Sequence, residues 1–312
     1  MKIVVLDAQT VGEDVDWSGY EKLGEVVRYP YSATEEVPER VKDAEVIIVN
    51  KVLINEQTVG NAKNLKLVCV LATGTNNLDK EYLESRGIIW HNVAGYSTEA
   101  VAQHTFAMLF YLLEKLRYYD EYVKDGAYEK SPLFTHFANG FAEIKGKTWG
   151  IIGLGTIGRR VAEIAKAFGA KVIYYSASGA APQDGYEQVD FDTLLATSDV
   201  ISVHAPLNEY TENLMNKEAF AKMKSSAIFL NVGRGPIVVE KDLFDALENG
   251  ELAAAGLDVL CKEPIAADNP LLRIKDSRKL LITPHIAWAS VEARDRLVQM
   301  VLEQVQEYAK IR

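Results

Sequence analysis

The chain has 312 residues, of which 48% are hydrophobic and 25% are charged. This length predicts two domains, and this composition is typical of a globular protein with a substantial core. The formal net charge of -10 argues against a surface for nucleic acid or anionic membrane, because both need clustered Lys and Arg. An anionic substrate would therefore have to be bound by cations placed locally at its site.

Two cysteines, Cys69 and Cys261, are the whole thiol content of the chain. They show neither a metal-ligand spacing nor a disulfide framework, which favours a reducing compartment and predicts no bound metal. The start of the chain does not resemble a signal peptide, and no apolar run approaches the roughly 20 residues of a membrane span. These features predict a cytoplasmic protein.

Short apolar runs alternate with longer amphipathic stretches along the chain. The runs MKIVVLD, EVIIVN, LKLVCVL and GIIWHNV predict buried strands, because they are short, β-branched and bounded by polar residues. A second series begins at KTWGIIGLG and continues through KVIYYS, DVISVHA, AIFLNVG, LAAAGLDV and KLLITPH. Strands alternating with helices predict an α/β fold of two doubly wound, mostly parallel sheets.

Two helical segments are predicted to connect the two series. The stretch from Ser97 to Lys124 is apolar over most of its circumference, which predicts one long helix buried between domains or subunits. The stretch from Ser290 to Lys310 is amphipathic and is predicted to return to the first domain. The predicted domains are therefore residues 1–97 with 288–312, and residues 98–287.

A G-x-G-x-x-G motif occurs once, at Gly153, Gly155 and Gly158. It follows an apolar strand and opens an amphipathic helix, which is the context that a dinucleotide-binding loop requires. Gly153 would allow the tight turn, Gly155 the approach of the backbone to the pyrophosphate, and Gly158 the close packing of helix on strand. The helix N-terminus would then bind the phosphates.

The residue predicted to face the adenosine ribose is Ser176. About 20 residues after the glycines, NAD-specific proteins carry an Asp or Glu that binds the ribose 2′-hydroxyl. Here the sequence is YYSASGAAPQ, with neither that carboxylate nor an Arg or Lys for a 2′-phosphate. We expect NAD as the cofactor, and the sequence leaves NADP open.

Three polar residues of the second half, Arg234, Glu263 and His285, each follow a predicted strand. Ligands gather at the carboxyl ends of the strands in open α/β sheets, so these residues could meet at one site. Arg234 could bind a carboxylate and a carbonyl together, and His285 could exchange a proton with the carbonyl oxygen. Glu263 could fix the tautomer of His285 and stabilise its protonated form. The histidine at 104 lies on the apolar helix and is predicted to serve packing.

These segments together resemble the D-isomer-specific 2-hydroxyacid dehydrogenase family. The resemblance runs from LATGTNNLD through GYSTEAVAQHTFAMLF, GIIGLGTIG, SVHAPLNEYT, FLNVGRGPIV and GLDVLCKEP to TPHIAWAS. It implies a Rossmann cofactor domain inserted into a flavodoxin-like substrate domain, and a dimer in which the long helix takes part.

The resemblance also implies site residues. It makes Arg234, Glu263 and His285 the catalytic group. For the cofactor it implies Gly153, Gly155, Thr156, Ile157, Gly158, Ser176, Ala205, Pro206, Thr211, Val232 and Asp258, the last beside the nicotinamide amide. For the substrate it implies Lys51, Ala72, Thr73 and Gly74, together with Arg234 and His285.

Within the family, HIAWAS and GYST look most similar to glycerate dehydrogenases, also called hydroxypyruvate reductases. The expected reaction is hydride transfer between NAD(P)H and C2 of hydroxypyruvate or glyoxylate, which gives D-glycerate or glycolate. The alternatives are a dehydrogenase for a bulkier 2-keto acid and a non-catalytic dinucleotide sensor similar to the family's corepressors. Cys261 departs from the charged or polar residue that many members carry, and it could expose the site to oxidation.

Overall fold

The structure, a computed structural model, describes residues 1–137, 140–179, 181–183 and 185–312. In this described part the strands are β1 (Lys2–Val5), β2 (Glu25–Arg28), β3 (Val46–Val49), β4 (Leu67–Val70), β5 (Ile89–His91), β6 (Thr148–Ile152), β7 (Lys171–Tyr175), β8 (Glu187–Gln188), β9 (Val200–Val203), β10 (Ile228–Asn231), β11 (Ala254–Leu257) and β12 (Leu280–Ile282). The α-helices are α1 (Ser18–Glu21), α2 (Val37–Val41), α3 (Glu56–Val59), α4 (Lys80–Ser85), α5 (Thr98–Leu113), α6 (Leu116–Lys124), α7 (Thr156–Ala167), α8 (Phe191–Thr197), α9 (Lys217–Lys222), α10 (Glu240–Asn249) and α11 (Val291–Ile311).

The chain divides into two compact units, of which the first comprises Met1–Ser97 and Trp288–Arg312. Its five strands form one sheet in the order β2-β1-β3-β4-β5, and every neighbouring pair is parallel. This is the flavodoxin-like strand order. Strands β3 and β4 are buried along their whole length, which explains their continuous apolar runs, because central parallel strands are covered on both faces.

The second unit, Thr98–Ala287, contains a seven-stranded sheet in the order β12-β11-β10-β9-β6-β7-β8. All of its pairs are parallel as well. From β6 the chain first builds outward through β7 and β8, and it then returns to add β9 on the other side. The predicted α/β class with two parallel sheets is thus confirmed, and β6 and β9 flank the switch point at which ligands bind in such sheets.

The predicted single helix from Ser97 to Lys124 is wrong, because two helices occupy this stretch. Helix α5 ends at Leu113, Lys115 takes a left-handed φ of 53°, and α6 begins at Leu116. The apolar face of α5 packs against β10, β11 and α7 of the second unit. None of the α6 residues is buried, so nothing in the core holds α6 in line with α5.

The C-terminal stretch forms the single helix that its amphipathic pattern predicts. Helix α11 begins after Ser290, whose hydroxyl accepts the N–H of Ala293 at 3.2 Å. It packs against β4 of the first unit, and the hydroxyl of Tyr20 donates to the carbonyl of Val298 at 2.6 Å. Within the described residues, no helix has both the length and the hydropathy that crossing a membrane demands.

Candidate active site

The glycine motif forms a tight turn between β6 and α7. Gly153 has a φ of +91°, and a Cβ atom on it would lie 2.7 Å from the Cα atom of Ala205. A Cβ atom on Gly158 would lie 2.2 Å from the carbonyl oxygen of Gly153. A side chain at Gly153 would therefore push the turn away from β9, and one at Gly158 would push the helix away from β6. The motif requires glycine at both positions because it depends on this close packing.

The backbone at Gly155 is accessible, as the approach of a pyrophosphate requires. A Cβ atom on Gly155 would meet no atom within 4 Å, so the backbone is open to a ligand on that side. Gly155 is the N-cap of α7, and no side chain caps this helix. Its first N–H groups, at Thr156, Ile157 and Gly158, can therefore donate to a pyrophosphate, which the positive end of the helix dipole also attracts.

Ser176 lies at the carboxyl end of β7, next to this turn. The N–H of Gly153 donates to the carbonyl of Tyr175 at 3.0 Å, which ties the two loops together. The hydroxyls of Ser176 and Ser178 are 3.4 Å apart. The described residues of the stretch 176–183 carry no charged side chain, and Ala180 lies outside the described residues.

The loop after β9 closes against the glycine turn. Ala205 is buried and contacts the position of Gly153, whereas Pro206 is exposed. The side chain of Thr211 is buried; its hydroxyl donates to the carbonyl of Pro206 at 2.7 Å and accepts the N–H of Asn208 at 2.9 Å. The structure thus gives Thr211 the role of fixing the loop, and its contact with the cofactor stays a prediction.

Arg234 leaves the carboxyl end of β10 on a loop that the buried side chain of Asn231 organises. The amide of Asn231 donates to the carbonyl of Arg234 at 3.0 Å and accepts the N–H of Gly233 at 3.0 Å. The guanidinium of Arg234 donates through Nη1 to the carbonyl of Gly233 at 2.8 Å. Buried Val232 lies inside this loop. The arginine is therefore held at its base, and its remaining donors are available for a substrate.

His285 and Glu263 are in direct contact. Nδ1 of His285 lies 2.7 Å from Oε2 of Glu263, and the other carboxylate oxygen accepts the N–H of Leu260 at 3.0 Å. Because the carboxylate occupies Nδ1, Nε2 is the ring nitrogen that can exchange a proton with a substrate. The side chains are 26% and 36% exposed, so the pair is within reach of a ligand.

The backbone around His285 is held in an uncommon conformation. Its φ of +55° lies in the left-handed region, which costs a residue other than glycine of the order of 1–2 kcal/mol. The carboxylate of Asp258, only 1% exposed, accepts the N–H groups of Ile286 and Ala287, both at 2.9 Å. The N–H of His285 donates to the backbone carbonyl of Asp258 at 2.8 Å. Asp258 thus anchors the histidine loop, and its predicted contact with the nicotinamide amide stays a prediction.

A second histidine at a strand end, His204, is poorly suited to acid–base chemistry. Burial lowers the pKa of His204 to about 3, so its ring is neutral near pH 7. Its Nε2 lies 2.9 Å from the hydroxyl of Ser202, which accepts the indole N–H of Trp149 at 2.9 Å. These contacts place His204 in the interior of the second unit and leave His285 as the stronger acid–base candidate.

The structure does not support an oxidation-sensitive thiol beside Glu263. Burial, and then the neighbouring carboxylate of Glu240, raise the pKa of Cys261 to about 11. Its sulfur donates to the carbonyl of Val238 at 3.4 Å. The thiolate is the oxidisable form, so oxidation at neutral pH is disfavoured even though the residue as a whole is exposed.

The predicted substrate loops of the first unit leave the carboxyl ends of β3 and β4. The N–H of Lys51 donates to buried Asp7 at 2.6 Å, and burial raises the pKa of that carboxyl group. The hydroxyl of Thr73 donates to the carbonyl of Val93 at 2.8 Å. With Ala72 and Gly74 beside it, Thr73 lies in a tethered turn, and the part of these loops in substrate binding stays a prediction.

The strand order brings the polar loops of the second unit to one edge. Arg234, Glu263 with Asp258, and His285 follow β10, β11 and β12, which are consecutive in the sheet. The glycine turn, Ser176 and Ala205 follow β6, β7 and β9 at the same edge. Sequence reasoning missed Asn231, although its position at a strand end, before the arginine, is a usable signal for an amide that organises a loop.

A glycine turn at the switch point and a His–Glu pair at the same sheet edge are features that a nicotinamide-dependent oxidoreductase would use. Comparisons with known proteins agree. The family model described as D-isomer specific 2-hydroxyacid dehydrogenase, NAD binding domain, matches residues 106–287. A hydroxypyruvate reductase of Blautia hydrogenotrophica is 40% identical to this chain, covering 99% of it and 97% of that protein.

Two further similarities are informative. A glyoxylate reductase of Thermococcus litoralis is 37% identical and covers 87% of this chain and 82% of its own length. A solved structure of an acyclic imino acid reductase in complex with NADPH and D-Arg matches with a TM-score of 0.86 at 31% identity, covering 99% of this chain and 97% of that one. The chain belongs to the D-isomer-specific 2-hydroxyacid dehydrogenase family. The predicted family, enzyme class and NAD(P) cofactor are thereby confirmed.

Proposed function

We propose that this enzyme reduces hydroxypyruvate or glyoxylate at C2, and that Arg234, Glu263 and His285 carry the reaction. The observation that supports this most strongly is the 2.7 Å contact between Nδ1 of His285 and Glu263, which leaves Nε2 for the substrate. Relatives named hydroxypyruvate reductase and glyoxylate reductase support the choice of a small 2-keto acid.

In the proposed reduction, His285 supplies the proton that the carbonyl oxygen requires. Reduced nicotinamide, when bound, would supply hydride to C2, and the substrate oxygen would then carry negative charge. Nε2 of His285 donates its proton to the oxygen, while Glu263 stabilises the positive charge of the ring before the transfer. Solvent returns the proton to the ring. In the oxidation direction Nε2 accepts the hydroxyl proton.

Binding of the substrate is assigned to Arg234. A guanidinium can donate two parallel hydrogen bonds, so Arg234 can bind the carboxylate and the carbonyl oxygen of a 2-keto acid together. Its loop is held by Asn231, which limits the freedom that binding must remove. From the family resemblance we further propose that Lys51 and the N–H groups of Ala72, Thr73 and Gly74 bind the carboxylate.

The proposed function is tested by following nicotinamide absorbance with hydroxypyruvate, glyoxylate, pyruvate and 2-ketoglutarate, each with NADH and with NADPH. We expect the fastest turnover with hydroxypyruvate or glyoxylate. Turnover only with 2-ketoglutarate would favour the bulkier-substrate alternative. Tight cofactor binding without turnover of any of the four would contradict the proposed function and favour a dinucleotide sensor.

Ser176 is proposed to set the choice between NAD and NADP. Ser176→Asp is expected to lower the ratio of kcat/KM with NADPH to that with NADH by at least about tenfold. A carboxylate there would accept the ribose 2′-hydroxyl and repel a 2′-phosphate. Ser176→Asn, similar in size and uncharged, is the matched control and should change the ratio far less. If the ratio for Ser176→Asp stays within twofold of the wild-type ratio, Ser176 does not face the ribose.

We also propose that the enzyme is a homodimer, and that its buried surface includes residues 116–137 and Phe141 of the second unit. Phe134 and Phe137 are 90% and 86% exposed, and exposed apolar surface of this kind marks interaction sites. Within residues 116–137, the hydroxyl of Tyr128 donates to the carbonyl of Phe134 at 2.7 Å. Further exposed apolar side chains of this surface are Leu116, Val123, Leu133 and Phe141.

The dimer surface can be tested by sedimentation equilibrium. Phe137→Glu is expected to shift the mass from two chains to one, because a charge on the buried surface would remain unpaired. Tyr31→Glu, an exposed aromatic of the first unit, is the matched control and should leave the mass unchanged. A mass of two chains for both variants would place the interface elsewhere.

We propose a cytoplasmic location, since both cysteines are free.

A further inference from the structure

Thr283 links the loop of His285 to its anchor. The hydroxyl of Thr283 donates to Oδ1 of Asp258 at 2.6 Å, and the carbonyl of Thr283 accepts the N–H of His285 at 3.0 Å. The side chain and the main chain of Thr283 therefore both stabilise the turn that contains His285 in its left-handed conformation.

His104 of helix α5 extends this link into the core of the second unit. Its Nε2 lies 3.1 Å from the hydroxyl oxygen of Thr283 and 3.5 Å from Oδ1 of Asp258. The Thr283 hydroxyl donates its single proton to Asp258, so toward His104 it can only accept. The proton on His104 must then lie on Nε2, and the hydrogen bonds run in one direction from His104 through Thr283 to Asp258.

Packing alone does not account for the position of His104. Helix α5 packs on β10, β11 and β12, the three strands that precede the loops of Arg234, Glu263 and His285. Its side chain is 20% exposed, and its ring makes a hydrogen bond with the hydroxyl of Thr283. The prediction of a packing role for His104 is therefore incomplete, because its ring also makes this hydrogen bond.

We propose that His104 and Thr283 are positioning residues for His285. By ordering the carboxylate of Asp258, they would hold the left-handed turn that directs the imidazole toward Glu263. This inference rests on the proposed function for its catalytic consequence, whereas its structural part stands on the second unit alone. Neither residue touches the reacting atoms, so their loss should lower kcat at saturating cofactor through the position of His285.

The first test compares Thr283→Val with Thr283→Ser. The valine variant removes the hydroxyl at nearly constant volume. The kcat with hydroxypyruvate or glyoxylate should then fall about tenfold, as expected for the loss of one hydrogen bond to a charged group. The serine variant keeps the hydroxyl and should recover most of that loss. His104→Leu should lower kcat similarly, and His104→Gln, which keeps a donor, should recover part of it. The kcat values are compared at saturating NADH, because Asp258 is also predicted to contact the nicotinamide amide.

Thr105→Val is the matched control. Thr105 is a buried threonine of α5 whose hydroxyl donates to Val101 of its own helix at 2.8 Å. The same chemical change there should leave kcat unaltered, although it too removes a buried hydrogen bond. An equal loss of kcat in Thr105→Val and Thr283→Val would show a general effect of destabilised packing and would overturn the inference.

Amide hydrogen exchange tests the positioning role without any need for activity. The N–H groups of His285, Ile286 and Ala287 should exchange about tenfold faster in Thr283→Val and at unchanged rate in Thr105→Val. If the wild-type chain reduces none of the four keto acids, this measurement still decides the inference, so its failure and that of the proposed function can be told apart. Unchanged exchange in Thr283→Val would overturn it, whatever happens to kcat.

Discussion

His285→Ala is expected to lower kcat by about 10³-fold, because a positioned general acid typically contributes 10²–10⁴-fold. The alanine variant leaves the developing charge on the substrate oxygen without a proton donor. The dissociation constant for NADH should stay within twofold, since the glycine turn and α7 are untouched. Steady-state kinetics and fluorescence titration of NADH measure the two quantities separately.

The control for this variant is His91→Ala, which removes an exposed histidine of the first unit. It should leave kcat unchanged. The kcat of Glu263→Gln should lie between the kcat of wild type and that of His285→Ala. The amide keeps the shape of the side chain but stabilises the protonated imidazole less. A kcat of His285→Ala within about tenfold of wild type would remove His285 from the proposed mechanism.

Arg234→Lys is expected to raise the KM for the keto acid by about 100-fold, although the positive charge is kept. Hydrogen bonds to charged groups contribute about 1.5–3 kcal/mol each, and lysine cannot present the planar pair of donors that arginine does. The single nitrogen of the ammonium would also have to serve both the substrate and the carbonyl of Gly233, to which Nη1 of Arg234 donates at 2.8 Å. The KM is measured at saturating NADH.

Arg273→Lys provides the comparison for that experiment. The guanidinium of Arg273 lies over the ring of Phe244, 4.2 Å from its centroid, and has no part in the proposed site. Its substitution should leave the KM for the keto acid within twofold of wild type. If Arg234→Lys shows an equally small change, Arg234 does not bind the substrate through a guanidinium pair.

Local features of the sequence were enough to predict the fold class. Strands such as β3 and β4 are continuous apolar runs because parallel strands at the centre of a sheet are covered on both faces. The turn at Gly153 and Gly158 could be recognised because close backbone contacts leave no room for a side chain. Both signals are carried by residues adjacent in the chain.

Long-range contacts decided what local patterns could not show. The apolar run after Ser97 predicted one helix, but the left-handed Lys115 ends α5 where its packing on the second unit stops. Burial against Val238 and Glu240, residues more than 20 positions earlier in the chain, raises the pKa of Cys261. Neither result can be derived from the immediate neighbours of these residues.

The candidate site shows the same division. The residue types and their positions after strands were sufficient to propose Arg234, Glu263 and His285, because parallel strands place their carboxyl ends at one edge. Only the tertiary structure shows that β10, β11 and β12 are adjacent. Only the tertiary structure shows that His104 contacts the histidine loop through Thr283. The two histidines are 181 positions apart in the chain. Hydrogen bonds between segments so distant in the chain form only when folding brings the segments together. No periodic pattern in the sequence predicts them.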